Sequence, residues 1–328
     1  MKSPDKISGL VFWLDAADTT TVNNGIITDG AFVNTFRDKS GGYTLTSPQS
    51  LGVFIAGAGP TYSFGRINGK NAICFSHFTS ATSTNNTSFR RLAVANCTPL
   101  GIAENTTFVV CYPSDVRLQV ADTSGTVESR QMIATVYAAT RVTSLPSGTL
   151  YPDKQWFVNT YRNTNLGTGR NTGTGYIDAV APYNQTALPA TTGLRTYLYD
   201  QVQDMDKTKI NLTSGPFYAY GKVNIFSTRY KDDLKKFTII RPGFHSSESF
   251  QPRYGRYTNL AATVTNPVLT IGAGWPGYGL AGSVNTQREF AQSQPFEGFF
   301  CEMLVFNRVL SHSETNAVEE YLKSKWIN

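Results

Sequence analysis

The sequence predicts a mainly-β protein, a single antiparallel β-sandwich with a C-terminal amphipathic helix. Three observations predict this class. Only 16% of the 328 residues are charged, which excludes coiled coils and most helical repeats. Thr, Tyr and Phe are frequent, and these residues favour pleated, half-buried surfaces. The 28 Gly and 15 Pro are spread along the chain as turn residues instead of collecting in one linker.

Short apolar runs separated by long polar connections predict the strands. The first run, 10–14, is continuous and ends at Asp15, as in a buried strand. The run 107–112 has the strongest pattern of a central strand. Further strands are predicted at 32–36, 72–75, 131–138, 156–161, 196–199, 217–226, 237–240, 268–271 and 298–306. This spacing, without alternating helices, favours a sandwich.

One helix is predicted after the last strand. Ser311 and Glu314 form an S-x-x-E capping box, in which each side chain binds the other residue's backbone NH. Apolar residues then recur at helical spacing on one face. They are Ala317, Val318, Tyr321, Leu322 and Trp326. We expect this helix to cover the sandwich.

The segment 163–215 is rich in Thr, Gly and Asn and has few apolar residues before Tyr197. It fits either a linker between two domains or long loops inserted in one domain. We favour the loops, because the last strand lacks partners for a second core. The predicted organisation is a polar arm over 1–6 followed by one domain over 7–328.

Charge and cysteine usage exclude several classes of function. The net charge is +6, but the basic residues are scattered and no nucleic-acid recognition motif is present. No apolar run reaches the roughly 18–20 residues of a membrane helix, and the polar start is unlike a secretory signal peptide. We therefore expect synthesis in the cytoplasm. Cys74, Cys111 and Cys301 lie in strand-like runs and read as reduced core residues, with one disulfide as the alternative.

The two ends of the chain together resemble one family. The opening stretch 7–18 reads ISGLVFWLDAAD and is followed by FRDKSG at 36–41. The closing stretch 296–311 reads FEGFFCEMLVFNRVLS and leads into the helix. Together these segments are similar to laminin-G-like, concanavalin A-like jelly-roll domains. The resemblance implies two antiparallel sheets, and uses that range from glycan binding and hydrolysis to surface parts of bacteria, phages and large DNA viruses.

The sequence offers little support for catalysis. Glucanases of this fold carry alternating acids on one strand, and no such run is present. Asp204 and Asp206 are two residues apart, the spacing of alternating acids on a strand, but they lie in a polar segment beside Lys207. Glu302 is the only acid on its predicted strand, 298–306. The three histidines are scattered, so neither a triad nor a zinc site is supported. We therefore expect no enzyme activity and no required cofactor.

Calcium is a weaker possibility, since many jelly-roll lectins hold this ion through loop carboxylates. Asp15, Asp18, Asp29 and Asp38 lie in early loops and could contribute oxygens. The alternative is that Asp15, Asp18 and Asp38 bind the backbone of their own turns, as Asx residues often do.

A glycine-rich loop carries the best candidate for ligand binding. The segment 272–279 reads GAGWPGYG and presents Trp275 and Tyr278 in a stretch too rich in glycine to be core. Sugar sites use such aromatic planes, and loops on rigid scaffolds often carry function. The alternatives are that Trp275 folds over the edge of the sandwich or meets another protein chain.

The preferred interpretation is a non-enzymatic structural or surface component of a virus particle, such as a minor capsid, decoration or fibre-associated protein. Its partners would be other virion structural proteins or copies of itself. The family's occurrence in viruses and the start without a signal peptide motivate this expectation. The alternative is a lectin-like module that binds cell-surface glycan for attachment, and a third hypothesis is a glucanase-like hydrolase. The first two are compatible with each other.

Overall fold

The computed structural model describes residues 3–47, 59–75, 92–94, 97–100, 104–113, 126–138, 155–165, 175–176, 195–199, 222–231, 234–249, 267–272, 296 and 298–328. Its strands are β1 Leu10–Asp15, β2 Thr35–Arg37, β3 Thr44–Thr46, β4 Thr61–Ile67, β5 Lys70–Phe75, β6 Leu92–Val94, β7 Asn105–Pro113, β8 Thr126–Ala138, β9 Gln155–Asn165, β10 Gly175–Tyr176, β11 Arg195–Tyr199, β12 Asn224–Lys231, β13 Leu234–Arg241, β14 Phe244–Ser249, β15 Pro267–Ile271 and β16 Gly298–Phe306. One α-helix, α1, spans His312–Trp326, and short 3₁₀ turns span Pro4–Lys6, Thr19–Thr21, Asn23–Gly25 and Thr98–Leu100.

The strands form two antiparallel sheets of eight strands each. The first sheet has the order β14-β13-β12-β7-β16-β5-β4, and β1 also pairs with β16. The second has the order β10-β9-β8-β15-β6-β3-β2, with β11 beside β9. This architecture confirms the predicted mainly-β, antiparallel sandwich with one C-terminal helix.

The apolar residues fall into two clusters, because successive side chains of a strand point to opposite faces. The inner cluster lies between the sheets and includes Phe12, Phe75 and Phe300 from the first sheet and Phe36 and Leu269 from the second. The outer cluster lies between the first sheet and α1. It includes Trp13, Phe108, Leu304, Val318 and Trp326. The helix therefore covers the outer face of the first sheet, as its apolar stripe predicts.

The first and last strands lie side by side in the first sheet. Leu14 pairs with Met303, and Asp15 pairs with Glu302. On its other side β16 pairs with β7, and the register shifts between Phe300 and Glu302. Cys301 is the extra residue of this β-bulge, and a bulge re-aims the side chains around it. The bulge turns Glu302 toward α1, directly opposite Asp15.

Most strand predictions are confirmed, and several differ in their bounds. The run predicted at 32–36 forms a strand only over Thr35–Arg37. Here the side chain of Asn23 binds the carbonyl of Phe32 and the amides of Asn34 and Thr35, which takes backbone groups that a longer ladder would use.

The predicted insertion over 163–215 is not all loop, because the end of β9, β10 and β11 lie within it. The strand predicted over 217–226 begins at Asn224, and residues 217–221 of that prediction lie outside the described residues. The sequence signals also missed β3, β4, β6 and β14. These strands are short or rich in polar residues, so a search for apolar runs does not find them.

The predicted arm and the cysteines can be located as well. Pro4, within the predicted arm, is buried, and Ile7 joins the outer cluster. All four cysteines are outside any disulfide, with Cys97, Cys111 and Cys301 buried and Cys74 partly buried. Burial raises the pKa of the Cys111 and Cys301 thiols. Within the described ranges, no helix combines the length and apolarity that a membrane span requires.

Candidate functional site

Four features could form a site: the early carboxylates, a buried polar cluster under α1, the two ends of the segment that carries Trp275, and a groove beside α1. Asp15 and Asp18 both bind Lys39, at 3.2 and 2.9 Å between carboxylate oxygen and Nζ. Each carboxylate also accepts a hydrogen bond of 3.1 Å from an amide of its own turn: Asp15 from Ala17, and Asp18 from Thr20. Burial works to raise the pKa of Asp18, but hydrogen bonds from Lys39 and Thr20 outweigh it and lower that pKa.

Asp38 binds backbone in the same way. Its side chain is nearly buried and accepts from the amides of Trp13 at 2.6 Å, Ser40 at 3.0 Å and Gly41. Asp29 accepts from the amide of Phe64 at 2.8 Å. Asp15, Asp18 and Asp38 therefore each accept hydrogen bonds from the backbone of their own turns. Among the residues that the structure describes, no group of three or more His, Cys, Asp or Glu side chains could hold a metal ion.

A buried polar cluster, here called the Glu302 cluster, joins β1, β16 and α1. It consists of Trp13, Asp15, Glu302, Tyr321, Lys325 and Trp326. The carboxylate of Glu302 is fully buried and accepts four hydrogen bonds. The donors are Trp13 Nε1 at 2.8 Å, Tyr321 Oη at 3.2 Å, Lys325 Nζ at 2.8 Å and Trp326 Nε1 at 2.6 Å. Every acceptor position of the carboxylate is therefore used.

Lys325 is the cation of this cluster. Its ammonium lies 2.6 Å from Asp15 and 2.8 Å from Glu302, so one lysine bridges two carboxylates that face each other across paired strands. Burial and the charge of Asp15 raise the pKa of Glu302, against the opposing effect of Lys325. Burial works to lower the pKa of Lys325, but the two carboxylates outweigh it and raise that pKa. The cluster joins the two ends of the chain and leaves no carboxylate oxygen of Glu302 open to a ligand.

Gly272 and Phe296, the described residues on either side of the segment 273–295, are fixed to the sandwich. The amide of Phe296 donates to the carbonyl of Gly272 at 2.7 Å, which closes the loop between β15 and β16. Gly272 has a φ of +89°, and a Cβ there would lie 2.0 Å from the ring of Phe75. The Phe75 and Phe296 rings pack at 6.0 Å between centroids. Trp275 and Tyr278 themselves lie outside the described residues, and only the ends of their loop can be placed.

A shallow groove lies between the β13–β14 turn and α1. Its volume is about 370 Å³, and Ile240, Pro242, His245, Lys323 and Ile327 contribute to its lining. The ammonium of Lys323 pairs with Glu320, one turn earlier in the helix. Burial and the charge of Lys323 lower the pKa of His245. The lining therefore combines apolar side chains with the imidazole of His245 and the ammonium of Lys323.

The comparisons with known proteins found solved structures but no family. No protein-family model matches the chain, and no curated protein matches it. The CBM40 of Ruminococcus gnavus IT-sialidase, bound to α2,6 sialyllactose, is 12% identical over 66% of this chain and 84% of that chain, with a TM-score of 0.32. A Trypanosoma rangeli sialidase mutant that displays trans-sialidase activity is 9% identical over 98% of this chain, with a TM-score of 0.40.

The enzymatically active domain of bacteriophage CBA120 tailspike protein 2 is 11% identical over 81% of this chain and 29% of that chain, with a TM-score of 0.36. This chain likewise spans only 34% of the sialidase.

The expectation that the protein is not an enzyme is corrected by this comparison, because the similar structures include sialidases and an enzymatically active tailspike domain. The expectation relied on catalytic patterns that are contiguous in sequence. One fold hosts both binding and catalytic proteins, and catalytic side chains often meet in space from distant segments. The absence of a contiguous pattern was therefore too weak a basis for that expectation.

Proposed function

We propose that this protein is a lectin-like carbohydrate-binding module that attaches to cell-surface glycans through the loop over 273–295. Trp275 and Tyr278 are the proposed binding residues. The observation that carries the proposal is the fixed base of this loop, where Phe296 binds Gly272 and the Phe75 ring packs against both. A rigid scaffold that presents a variable loop is the usual arrangement of a binding site.

The composition of the loop fits a sugar ligand. Trp and Tyr offer a flat apolar face together with a polar group that can hydrogen-bond, which suits the mixed surface of a pyranose. Glycine has no side chain to shield its backbone NH and carbonyl groups, so the glycines of this segment suit contacts with sugar hydroxyl groups. Under this proposal the chain is a concanavalin A-like, laminin-G-like jelly-roll domain over 7–328, the family that its two ends resemble.

The test is a glycan array followed by calorimetry on the strongest ligand. Trp275→Ala is expected to lower affinity by about 30-fold or more, the loss typical of an aromatic residue central to binding. Gln287→Ala is the matched control, because it lies in the same loop without an aromatic ring. Equal thermal unfolding of the three proteins shows that the fold is retained. A wild type that binds no glycan, or a Trp275→Ala variant that binds as well as the control, contradicts the proposal.

A second candidate is a structural or surface component of a virus particle, in contact with other virion proteins or with copies of itself. The observation that favours protein contacts is the exposure of large apolar side chains near β4. Ile26 is 85% exposed, and Phe64 is 47% exposed. Apolar side chains on a surface often mark interaction sites. This role is compatible with glycan binding, and it would locate the protein in the virion.

Cross-linking of purified particles followed by mass spectrometry tests this second candidate. Cross-links between the segment 26–34 and a virion protein, or a second copy of this chain, are expected. In vitro, Ile26→Asp should weaken any self-association seen by sedimentation, while Thr28→Asp serves as the control for added charge. Particles that lack the protein contradict the virion assignment.

A further inference from the structure

A pair of aromatic rings lies on the outer face of the first sheet, beyond the part that α1 covers. Phe299 of β16 pairs directly with Tyr112 of β7. Both side chains are partly buried and pack at the margin of the outer cluster. Their ring centroids are 5.9 Å apart, and the rings are inclined by 71°, an edge-to-face contact. Each ring is held by its neighbour and still reaches solvent.

A cation lies over one of these rings. The guanidinium carbon of Arg66, in β4, is 5.4 Å from the centroid of the Phe299 ring. Arg66 is exposed, and among the described residues no carboxylate forms an ion pair with it. The cation–π contact favours this position of the guanidinium, and its NH groups can donate to an anion.

These three residues adjoin the base of the proposed binding loop. Phe299 follows the loop by four positions, and Gly298 packs so closely on β7 that a Cβ would lie 2.3 Å from the carbonyl oxygen of Tyr112. Phe296, which closes the loop base, is three residues before Phe299. The aromatic pair and the loop therefore lie at the same end of β16.

We infer that Tyr112, Phe299 and Arg66 form a second subsite of the glycan site, and that this subsite takes an acidic sugar bearing a carboxylate or sulfate group. The inference rests on the proposed function. The sugar ring packs against the exposed part of the Tyr112 ring, and its anionic group accepts hydrogen bonds from Arg66. Arginine matches the geometry of such groups through two parallel NH donors. The net charge of +6 favours approach of an acidic ligand.

The test compares a neutral glycan with carboxylated and sulfated forms of the same core. The wild type is expected to bind at least one acidic form more tightly than the neutral form. Comparing its affinity for the carboxylated and the sulfated glycan shows which anionic group the subsite prefers. Arg66→Gln should lower affinity for that acidic form by about 10-fold, the effect of losing one charge-assisted contact, and leave the neutral form unchanged. Lys70→Gln is the control, since it removes an exposed charge from the same hairpin.

The outcomes separate the inference from the proposed function. Equal losses of affinity in Arg66→Gln and Lys70→Gln overturn the subsite, as does a wild type without preference for acidic forms. In either case the proposed function stands if Trp275→Ala still lowers affinity for the glycan. A wild type that binds no glycan overturns the proposed function and the subsite together. Because Arg66 is exposed, its substitution is expected to leave thermal unfolding unchanged.

Discussion

Replacing Lys325 by methionine tests the energetic role of the Glu302 cluster. Methionine keeps the length and apolar stem of lysine but removes the charge between Asp15 and Glu302. Coulomb's law with an effective dielectric constant of about 20 gives roughly 6 kcal/mol for the Lys325–Glu302 pair at 2.8 Å, before the cost of burying the charges. Breaking a buried pair by removing one partner typically costs about 3–5 kcal/mol. Lys39 still pairs with Asp15 in the variant, so we expect Lys325→Met to lower the free energy of unfolding by about 3 kcal/mol, the lower end of this range.

The assay is chemical denaturation at several pH values, with Lys323→Met as the control. Lys323 lies on the same helix but pairs only at the surface, so its loss should cost about 0.5 kcal/mol. Burial already raises the pKa of Glu302 above its usual 4.5, and loss of Lys325 raises it further. An acid whose pKa is raised by folding destabilises the protein as pH rises. The penalty of Lys325→Met should therefore shrink as pH falls toward 4.5.

Glu302→Gln in the Lys325→Met background should recover part of the lost free energy of unfolding, because it removes one of the two facing charges. The reasoning is refuted if Lys325→Met costs no more than Lys323→Met. It is also refuted if the penalty is independent of pH.

Three further predictions concern local structure. Gly272→Ala should lower the free energy of unfolding by about 3 kcal/mol, because the new Cβ meets the ring of Phe75. Gly30→Ala is the control, since Gly30 also has a positive φ but has open space around it, and it should lower the free energy of unfolding by about 1 kcal/mol. Equal losses in chemical denaturation would contradict the clash. Ser311→Ala should lower the free energy of unfolding by about 1 kcal/mol, because it removes the N-cap of α1. An unchanged unfolding midpoint would contradict this stabilising role of Ser311. Hydrogen bonds from Arg308 hold the pKa of Glu314 at about 2, so this carboxyl stabilises the fold above its unfolded pKa and loses that effect as pH falls from about 4.5 to 2. NMR titration should show that pKa rising in Arg308→Ala.

The features that the sequence predicted correctly depend on local signals. The capping box at Ser311 and Glu314 lies within one turn, and both of its hydrogen bonds are present. The turn-forming role of Asp38 follows from residues two and three positions later. The runs around Val109 and Leu304 are apolar enough to be recognised without knowledge of their partners.

The features that the sequence missed depend on contacts between distant residues. Glu302 seemed isolated on its strand, because its partners Trp13 and Lys325 are 289 and 23 residues away. The bulge at Cys301, which turns Glu302 toward α1, has no sequence signature of its own. Lys325 was not singled out from the sequence, although a lysine next to the apolar helix position Trp326 could have indicated a buried acidic partner. Trp275 and Tyr278 remain predictions, since they lie outside the described residues.

The pairing of β1 with β16 determines when the first sheet can form during synthesis. A ribosome adds about 5–20 residues per second, so β1 waits roughly 15–60 s for the strand that lies beside it. Until then the apolar run of β1 and one edge of β7 have no neighbour, and exposed edges of this kind promote aggregation. A chain that terminates before Gly298 would therefore be a client for chaperones and proteases, and its first sheet would remain incomplete. The residues from Gly298 onward accordingly determine whether the first sheet is completed around β1 and β7.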